Sequence, residues 1–324
     1  KANAYGLGDK EVFKILYKGG CNHFFLATTE EGIRIRKINK KAKIYILNGL
    51  EGNTLSLYDK YNLIPILNSK KEIDTLIRGK LFNKKIKFGI HVETGLNRLG
   101  VDVKDLNKKF FQKVDLEILL SHLASPDESQ NKYNQMQNQN FMNSFKYFKS
   151  IKYKSLSSSI GTMHNNKLHH DMVRPGISLY GCCDNYNLKK KYNVKSIVTL
   201  KGKILQIKEI KENEFVGYGQ TYKTNKKIKV AIIGMGYADG ITRLLSNNGK
   251  LFFKKDSYKI IGKISMDSIT VDISNSKYKN KVGQYLELIN DKYTIEKMAK
   301  KLGTISNEIL TSISKRVTRK YIIK

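Results

Sequence analysis

Between His23 and Tyr180 the chain repeats one pattern. A short run rich in apolar and β-branched residues is followed by a polar or glycine-containing turn and then by a stretch with helical spacing. The runs His23-Phe24-Phe25-Leu26-Ala27-Thr28, Ile44-Tyr45-Ile46-Leu47-Asn48, Leu63-Ile64-Pro65-Ile66-Leu67-Asn68, Ile86-Lys87-Phe88-Gly89-Ile90-His91-Val92 and Leu116-Glu117-Ile118-Leu119-Leu120-Ser121-His122 carry it most plainly. This is the spacing of βα units, which build a parallel sheet. Two further candidate strands, Leu156-Ser157-Ser158-Ser159 and Ile177-Ser178-Leu179-Tyr180, bring the expected number to seven. Periodicity leaves two arrangements open, a β/α barrel and a doubly wound open sheet.

After Cys183 the character changes. Strand-like runs such as Ser196-Ile197-Val198-Thr199-Leu200, Lys229-Val230-Ala231-Ile232-Ile233 and Ser268-Ile269-Thr270-Val271-Asp272 are separated by short turns, as in a β-rich domain. The boundary is expected near 183–190, giving domains 1–185 and 186–324. Helix-like sequence returns from Tyr293 to Leu302 and is expected to cap the second domain.

The chain carries 60 Lys+Arg against 28 Asp+Glu, a formal net charge of +32, which raises the question of nucleic acid or an anionic membrane as partner. The lysines, however, are scattered among many Asn and Ile, with 3 Pro and no Trp, as an AT-rich coding bias would leave them. Runs such as Lys189-Lys190-Lys191 and Lys226-Lys227 read as solvated loops. Neither nucleic acid nor membrane is therefore expected as a partner. No apolar run approaches the roughly 20 residues that span a bilayer, and no signal peptide is visible. Cys21, Cys182 and Cys183 form no Cys-x-x-Cys pair, and the adjacent two cannot bridge without strain, so a reducing cytoplasm is expected and a metal centre is not.

Four segments carry more specific information. They are Lys1-Ala2-Asn3-Ala4-Tyr5-Gly6-Leu7-Gly8, His91-Val92-Glu93-Thr94-Gly95-Leu96-Asn97-Arg98-Leu99-Gly100, Asp171-Met172-Val173-Arg174-Pro175-Gly176-Ile177-Ser178-Leu179-Tyr180-Gly181 and Gly236-Tyr237-Ala238-Asp239-Gly240. Singly, such glycine-containing pieces mostly mark turns. Together and in this order they resemble the alanine racemases, enzymes that use pyridoxal 5'-phosphate (PLP). The resemblance implies a (β/α)8 TIM-type barrel followed by a β-rich C-terminal domain. Family members carry the first barrel strand just before the lysine, so that strand is expected to be missing from an N-terminally truncated chain.

PLP needs an amine for its aldehyde, an anion site for its phosphate, a partner for its pyridine nitrogen and a base near the substrate Cα. By resemblance Lys1 supplies the amine and serves as one base, while Tyr5, Ser159, Gly176 and Ile177 hold the phosphate. Arg174 is implied to face the pyridine nitrogen. Arginine keeps its proton at neutral pH, so the nitrogen opposite stays unprotonated and the carbanion is less delocalised. That favours reprotonation of Cα, as a racemase requires.

Racemisation moves protons on both faces of a flat intermediate, so a second base is needed. Tyr237 matches the family's opposing base, and the resemblance places His122 to hydrogen-bond its phenol. In the family this tyrosine reaches the active site of the other subunit, which implies a head-to-tail homodimer. Met266 and Asp267 resemble the segment that crosses with it to help line the substrate site. Arg98 is implied to contact the substrate carboxylate and the phenolic oxygen of the cofactor.

Four positions depart from the family pattern. Asn307 stands for a usual tyrosine, His91 for a lysine that can be carbamylated to brace Arg98, Leu7 for a histidine and Ser158 for an asparagine. The expected function is interconversion of L- and D-alanine, supplying D-alanine for peptidoglycan. The space at Asn307 keeps a serine or lysine racemase as the nearest rival. PLP decarboxylases on the same barrel are disfavoured, because an acid is expected where this chain has Arg174. A non-catalytic PLP-binding relative would need Lys1 and the phosphate site but not Tyr237.

Overall fold

A computed structural model describes residues 1–50, 55–79 and 86–322, which fall into two compact units. The first comprises Lys1–Leu179 and Asn185–Asn193, the second Tyr180–Asp184 and Val194–Lys324.

In the first unit β1 (His23–Leu26), β2 (Lys43–Ile46), β3 (Ile64–Leu67), β4 (Gly89–His91), β5 (Asp115–Leu120) and β6 (Ser150–Ser155) pair in sequential order. All five pairings are parallel. Alternate residues explain why the runs look continuously apolar. Tyr45, Ile64, Ile66, Ile118 and Leu120 form one buried cluster, while their neighbours Ile44, Ile46, Leu63, Leu67 and Leu119 join another that includes Ile35, Ile73 and Leu76 of the helices. Burial of each such side chain contributes about 1.5–3 kcal/mol, and burial on both faces is what a parallel sheet demands.

Two expected strands are corrected. The last strand of the sheet ends at Ser155, and Leu156–Ser159 contributes only the single parallel bridge Ser158–Arg174 before a helix begins at Ser159. Ile177–Tyr180 is one 3-10 turn. Its Ile-Ser-Leu-Tyr alternation imitates a strand, but the Gly176 and Ser178 amides donate to Ser159 Oγ rather than to a ladder. The Lys189–Lys191 run lies on the helix Tyr186–Lys191, not in a loop.

The second unit holds β7 (Leu200–Ile210), β8 (Ile228–Gly234), β9 (Lys250–Phe253), β10 (Asp256–Lys259), β11 (Ile269–Asp272) and β12 (Tyr285–Ile289) in the antiparallel order β10-β9-β12-β7-β8-β11. The expected strand at Ser196–Leu200 starts only at its final residue, where pairing with Ile289 begins. The helix Ile295–Leu302 forms as expected and ends on Gly303 in the left-handed conformation. Among the described residues no helix is long and apolar enough to cross a membrane.

Candidate active site

The chemistry-bearing side chains of the first unit gather where successive parallel strands end. Glu31 follows β1, Asn68 follows β3, His91 closes β4, Ser121 and His122 follow β5, and Ser159 follows β6. In α/β folds this end of the sheet presents loops and helix N-termini, and it is the usual place for a site.

Lys1 leads into an unusual stretch of backbone. Ala2, Asn3, Ala4 and Tyr5 all have φ between 50° and 57°, a left-handed turn closed by Tyr5 N–H to Lys1 O (3.1 Å) and Gly6 N–H to Ala2 O (2.9 Å). Such a conformation costs about 1–2 kcal/mol per L-residue, so it persists only where its surroundings impose it. Asn3 Oδ1 accepts the Asp9 amide at 3.0 Å. Glu31, buried, accepts the Ala27 amide at 2.8 Å and the Asn3 amide at 3.4 Å. Although Lys1 is exposed, burial of its amine lowers the pKa below the usual lysine range. The charges of Arg98 and Arg174 lower it further, against the opposing pull of Glu31.

Arg174 spans the ends of β5 and β6. One terminal nitrogen donates to Ser155 O (2.8 Å) and Ser155 Oγ (2.6 Å), the other to Ser121 O (2.6 Å) and, at 3.4 Å, to Leu156 O and His122 Nδ1. Its Nε–H has no acceptor among the described residues and stays available to a ligand. Burial lowers its pKa to about 10, so it remains charged at neutral pH. His122 accepts at Nδ1, which assigns its proton to Nε2. Burial, with the charges of Arg174 and Arg98, takes its pKa down to about 3. The same causes hold His91 at about 4.

Ser159, Tyr5 and Gly176 lie together. Ser159 Oγ accepts the Gly176 amide at 2.8 Å and the Ser178 amide at 3.3 Å, and the Tyr5 ring lies against Gly176 so closely that a Cβ there would collide with the phenol oxygen. Ile177 follows directly and opens the 3-10 turn. Ser159 Oγ, which accepts those amides, keeps its own O–H to donate, and a serine and a tyrosine hydroxyl on a glycine contour are donors of the kind a phosphate takes.

The second unit carries Tyr237, Met266 and Asp267. The Gly236–Gly240 turn rests on the 265–266 backbone through Tyr237 N–H to Ser265 O (3.1 Å) and Ala238 N–H to Met266 O (3.0 Å). Any side chain at Gly236 would strike the Ser265 and Met266 carbonyls. Arg316 joins Asp239 (2.9 Å) to Asp267 (2.7 Å), tying the turn to its support. Tyr237 is 43% exposed and Met266 53% exposed.

Residues 1–184 match the family described as alanine racemase, N-terminal domain, and residues 197–321 match alanine racemase, C-terminal domain. The chain belongs to the alanine racemase family. The alanine racemase of Rickettsia canadensis (strain McKiel) is 37% identical over 330 residues, covering 99% of this chain and 90% of the relative. The crystal structure of alanine racemase from Bartonella henselae with covalently bound pyridoxal phosphate superposes with a TM-score of 0.92 at 35% identity, covering 99% of this chain and 90% of that one. An alanine racemase of Clostridium difficile 630 gives 0.91 at 30% identity over 99% and 87% of the two chains. The fold is thus that of the alanine racemases, an N-terminal barrel domain and a β-rich C-terminal domain.

Set against the alanine racemase pattern, His91 is a buried neutral imidazole whose Nδ1 lies 3.2 Å from Asn68 Oδ1. It offers Arg98 no negative brace, and Arg98 makes no hydrogen bond or ion pair among the described residues. Asn307 lies half-buried on the helix Ser306–Ser312, where its carbonyl accepts the Thr311 hydroxyl. Ser158 pairs its backbone with Arg174, and Leu7 is half-buried beside the left-handed turn. Sequence reading missed Glu31, Arg316 and the helix Lys132–Asn143, whose Tyr133, Gln137 and Asn140 bond to Thr94 and Gly95. Glu31 had a signal: Thr28-Thr29-Glu30-Glu31 is a capping-box pattern, and Thr28 Oγ1 does accept the Glu31 amide at 3.4 Å.

Proposed function

We infer that this chain is a PLP-dependent isomerase that interconverts L- and D-alanine, the step by which bacteria of this family supply D-alanine to the cell wall. The observation that carries the inference is the conjunction, on one family scaffold, of a lysine with a lowered pKa, the hydroxyls of Ser159 and Tyr5 against Gly176, and a charged arginine. Tyr5, Ser159, Gly176 and Ile177 would hold the cofactor phosphate, Lys1 its aldehyde carbon and Arg174 its ring nitrogen. The chemistry PLP supplies when bound is acidification of the Cα–H bond of an amino acid joined to it through the amine.

The remaining steps belong to protein groups. With a lowered pKa, the Lys1 amine is more often unprotonated near neutrality than an ordinary lysine, so it can take a proton from one face of Cα and return one. Arg174 donates a hydrogen bond without surrendering its proton, which holds back side reactions that need a stronger electron sink. Arg98 receives the substrate carboxylate with a guanidinium unspent on protein partners. Tyr237 serves the opposite face. Neutral His122, with its proton on Nε2 and Arg174 behind it, can only donate toward that phenol oxygen, and a donated hydrogen bond favours the phenolate that acts as base.

The division proposed is a PLP-binding barrel domain over 1–185 and a β domain over 186–324. The assembly proposed is a head-to-tail homodimer in which Tyr237, Met266 and Asp267 serve the site of the other copy. The exposure of Tyr237 and Met266 supports it. A cytoplasmic location suits three cysteines that form no disulfide among the described residues. Chiral analysis of L-alanine incubated with the protein, with and without PLP, tests the reading. D-Alanine should form only with PLP, and faster than D-serine or D-lysine from their L forms; a reversed preference would make this a racemase of another amino acid.

A further inference from the structure

The helix Lys132–Asn143 is rich in amides and buries Phe141 in the core, and Gln137 beside it is fully buried as well. Its amide is fully used: Nε2 donates to His122 O (3.0 Å) and to Thr94 Oγ1 (3.4 Å), and Oε1 accepts the Ala124 amide (2.8 Å). Tyr133 and Asn140 share its face of the helix at i−4 and i+3. Tyr133 Oη donates to Gly95 O at 2.7 Å, and Asn140 Nδ2 to Thr94 O at 3.2 Å. The Thr94 and Ser121 hydroxyls lie 2.7 Å apart, and Ser121 O accepts from Arg174. Buried Gln137, flanked by the exposed Tyr133 and Asn140, therefore fastens the loop that carries Arg98 to the strand end that carries His122 and receives Arg174.

A buried amide is an expensive way to fill space, since each backbone group it leaves unpaired costs about 1–3 kcal/mol. What it provides is direction: its three bonds fix the distance between two loops in a way that apolar packing does not. The loop end nearest Arg98 is braced separately, as Glu93 accepts the Gly95 and Asn97 amides. Gln137 acts at the root of that loop.

We propose that Gln137 is a positioning residue for substrate recognition. Through Thr94 it sets where Arg98, and with it the carboxylate of the amino acid, stands relative to His122 and Arg174. This rests on the reading of Arg98 as the carboxylate contact. Gln137→Glu keeps the acceptor for Ala124 and removes both donors, and Gln137→Met removes all three bonds at similar volume. Each is made in the full PLP-loaded chain, alone and with Arg98→Ala. The readouts are KM and kcat for L-alanine, calorimetric binding of acetate as a carboxylate that cannot react, amide hydrogen exchange over residues 93–100, and thermal unfolding.

The expected result for Gln137→Glu is a KM for alanine raised about tenfold with kcat within about threefold, as for a contact misplaced by a fraction of an ångström. Acetate binding should weaken in parallel and exchange over 93–100 should quicken. With Arg98→Ala already present, Gln137→Glu should raise KM no further. Unchanged KM and acetate binding in a folded Gln137→Glu, or additive losses in the double variant, would overturn the proposal while leaving Arg98 in its role. If Arg98→Ala itself changes neither quantity, the carboxylate reading fails and takes this proposal with it. Failure of both Gln137 variants to fold would make Gln137 a support of the fold alone, which also overturns it.

Discussion

Tyr237→Phe deletes one oxygen and keeps the ring, so it separates the proposed base from the turn that carries it. PLP binding should be retained, while racemisation falls by roughly the 10²–10⁴ of a lost acid–base group; absorbance titration and chiral assay read the two effects. A second prediction concerns the neutral histidines. In the folded chain His91 and His122 protonate only near pH 4 and 3, against about 6.5 in the unfolded chain. The unfolded state therefore binds more protons once the pH drops below 6.5, and stability present above that value is lost as the pH falls toward the folded values. Between pH 6 and 5 the wild-type unfolding free energy should fall more steeply than that of His91→Asn, by about 1.4 kcal/mol per pH unit at most, for the one proton no longer linked. Urea melts measure the difference, and equal slopes would contradict the buried neutral imidazole. Residues of this kind were partly legible in the sequence. Arg174 and Tyr237 stand inside recognisable motifs, whereas Gln137 lies in a run of amides that reads as surface, because one buried amide leaves no periodic apolar trace.

The strands β2 to β5 were legible as apolar runs, because strands buried on both faces must be apolar, as Leu63–Leu67 shows, and β1 was legible as an aromatic run. The strand β6 (Ser150–Ser155), which carries two lysines and buries only its last residue, was not legible, and the strand expected there falls at Leu156–Ser159 instead. The turn at Ile177–Tyr180 was not, since alternation is shared by strands and by short turns with one buried residue. What distinguishes it is Ser159, which takes up the local amides and is distant in sequence. The left-handed turn at Ala2–Tyr5 was equally hidden: three of its four residues are neither Gly nor Asn, and its conformation comes from partners such as Glu31. Gly176→Ala tests the proposed phosphate cradle as an element. A methyl group there must displace the Tyr5 hydroxyl, and loss of one hydrogen bond to a charged phosphate, about 1.5–3 kcal/mol, should weaken PLP binding roughly 10–100-fold. Fluorescence titration with PLP reads it, and unchanged affinity would remove Tyr5 and Gly176 from the phosphate site.

For the whole molecule, the head-to-tail dimer proposed above would place the Lys1 and Tyr237 of one site on different chains. Lys1→Ala and Tyr237→Phe proteins, each nearly inactive, should regain up to about half the wild-type activity per exchanged dimer when mixed, because one of the two sites then holds both bases. No recovery after verified subunit exchange would assign both bases to one chain. The most direct measurement of the central claim follows the proton itself. L-Alanine incubated with the PLP-loaded protein in D2O, stopped early and separated by chirality, should give D-alanine carrying deuterium at Cα while the recovered L-alanine stays largely protiated, since one base removes the proton and the other delivers solvent deuterium from the opposite face. D-Alanine that keeps its protium would mean that a single base carries the proton across, and the two-base account would be contradicted.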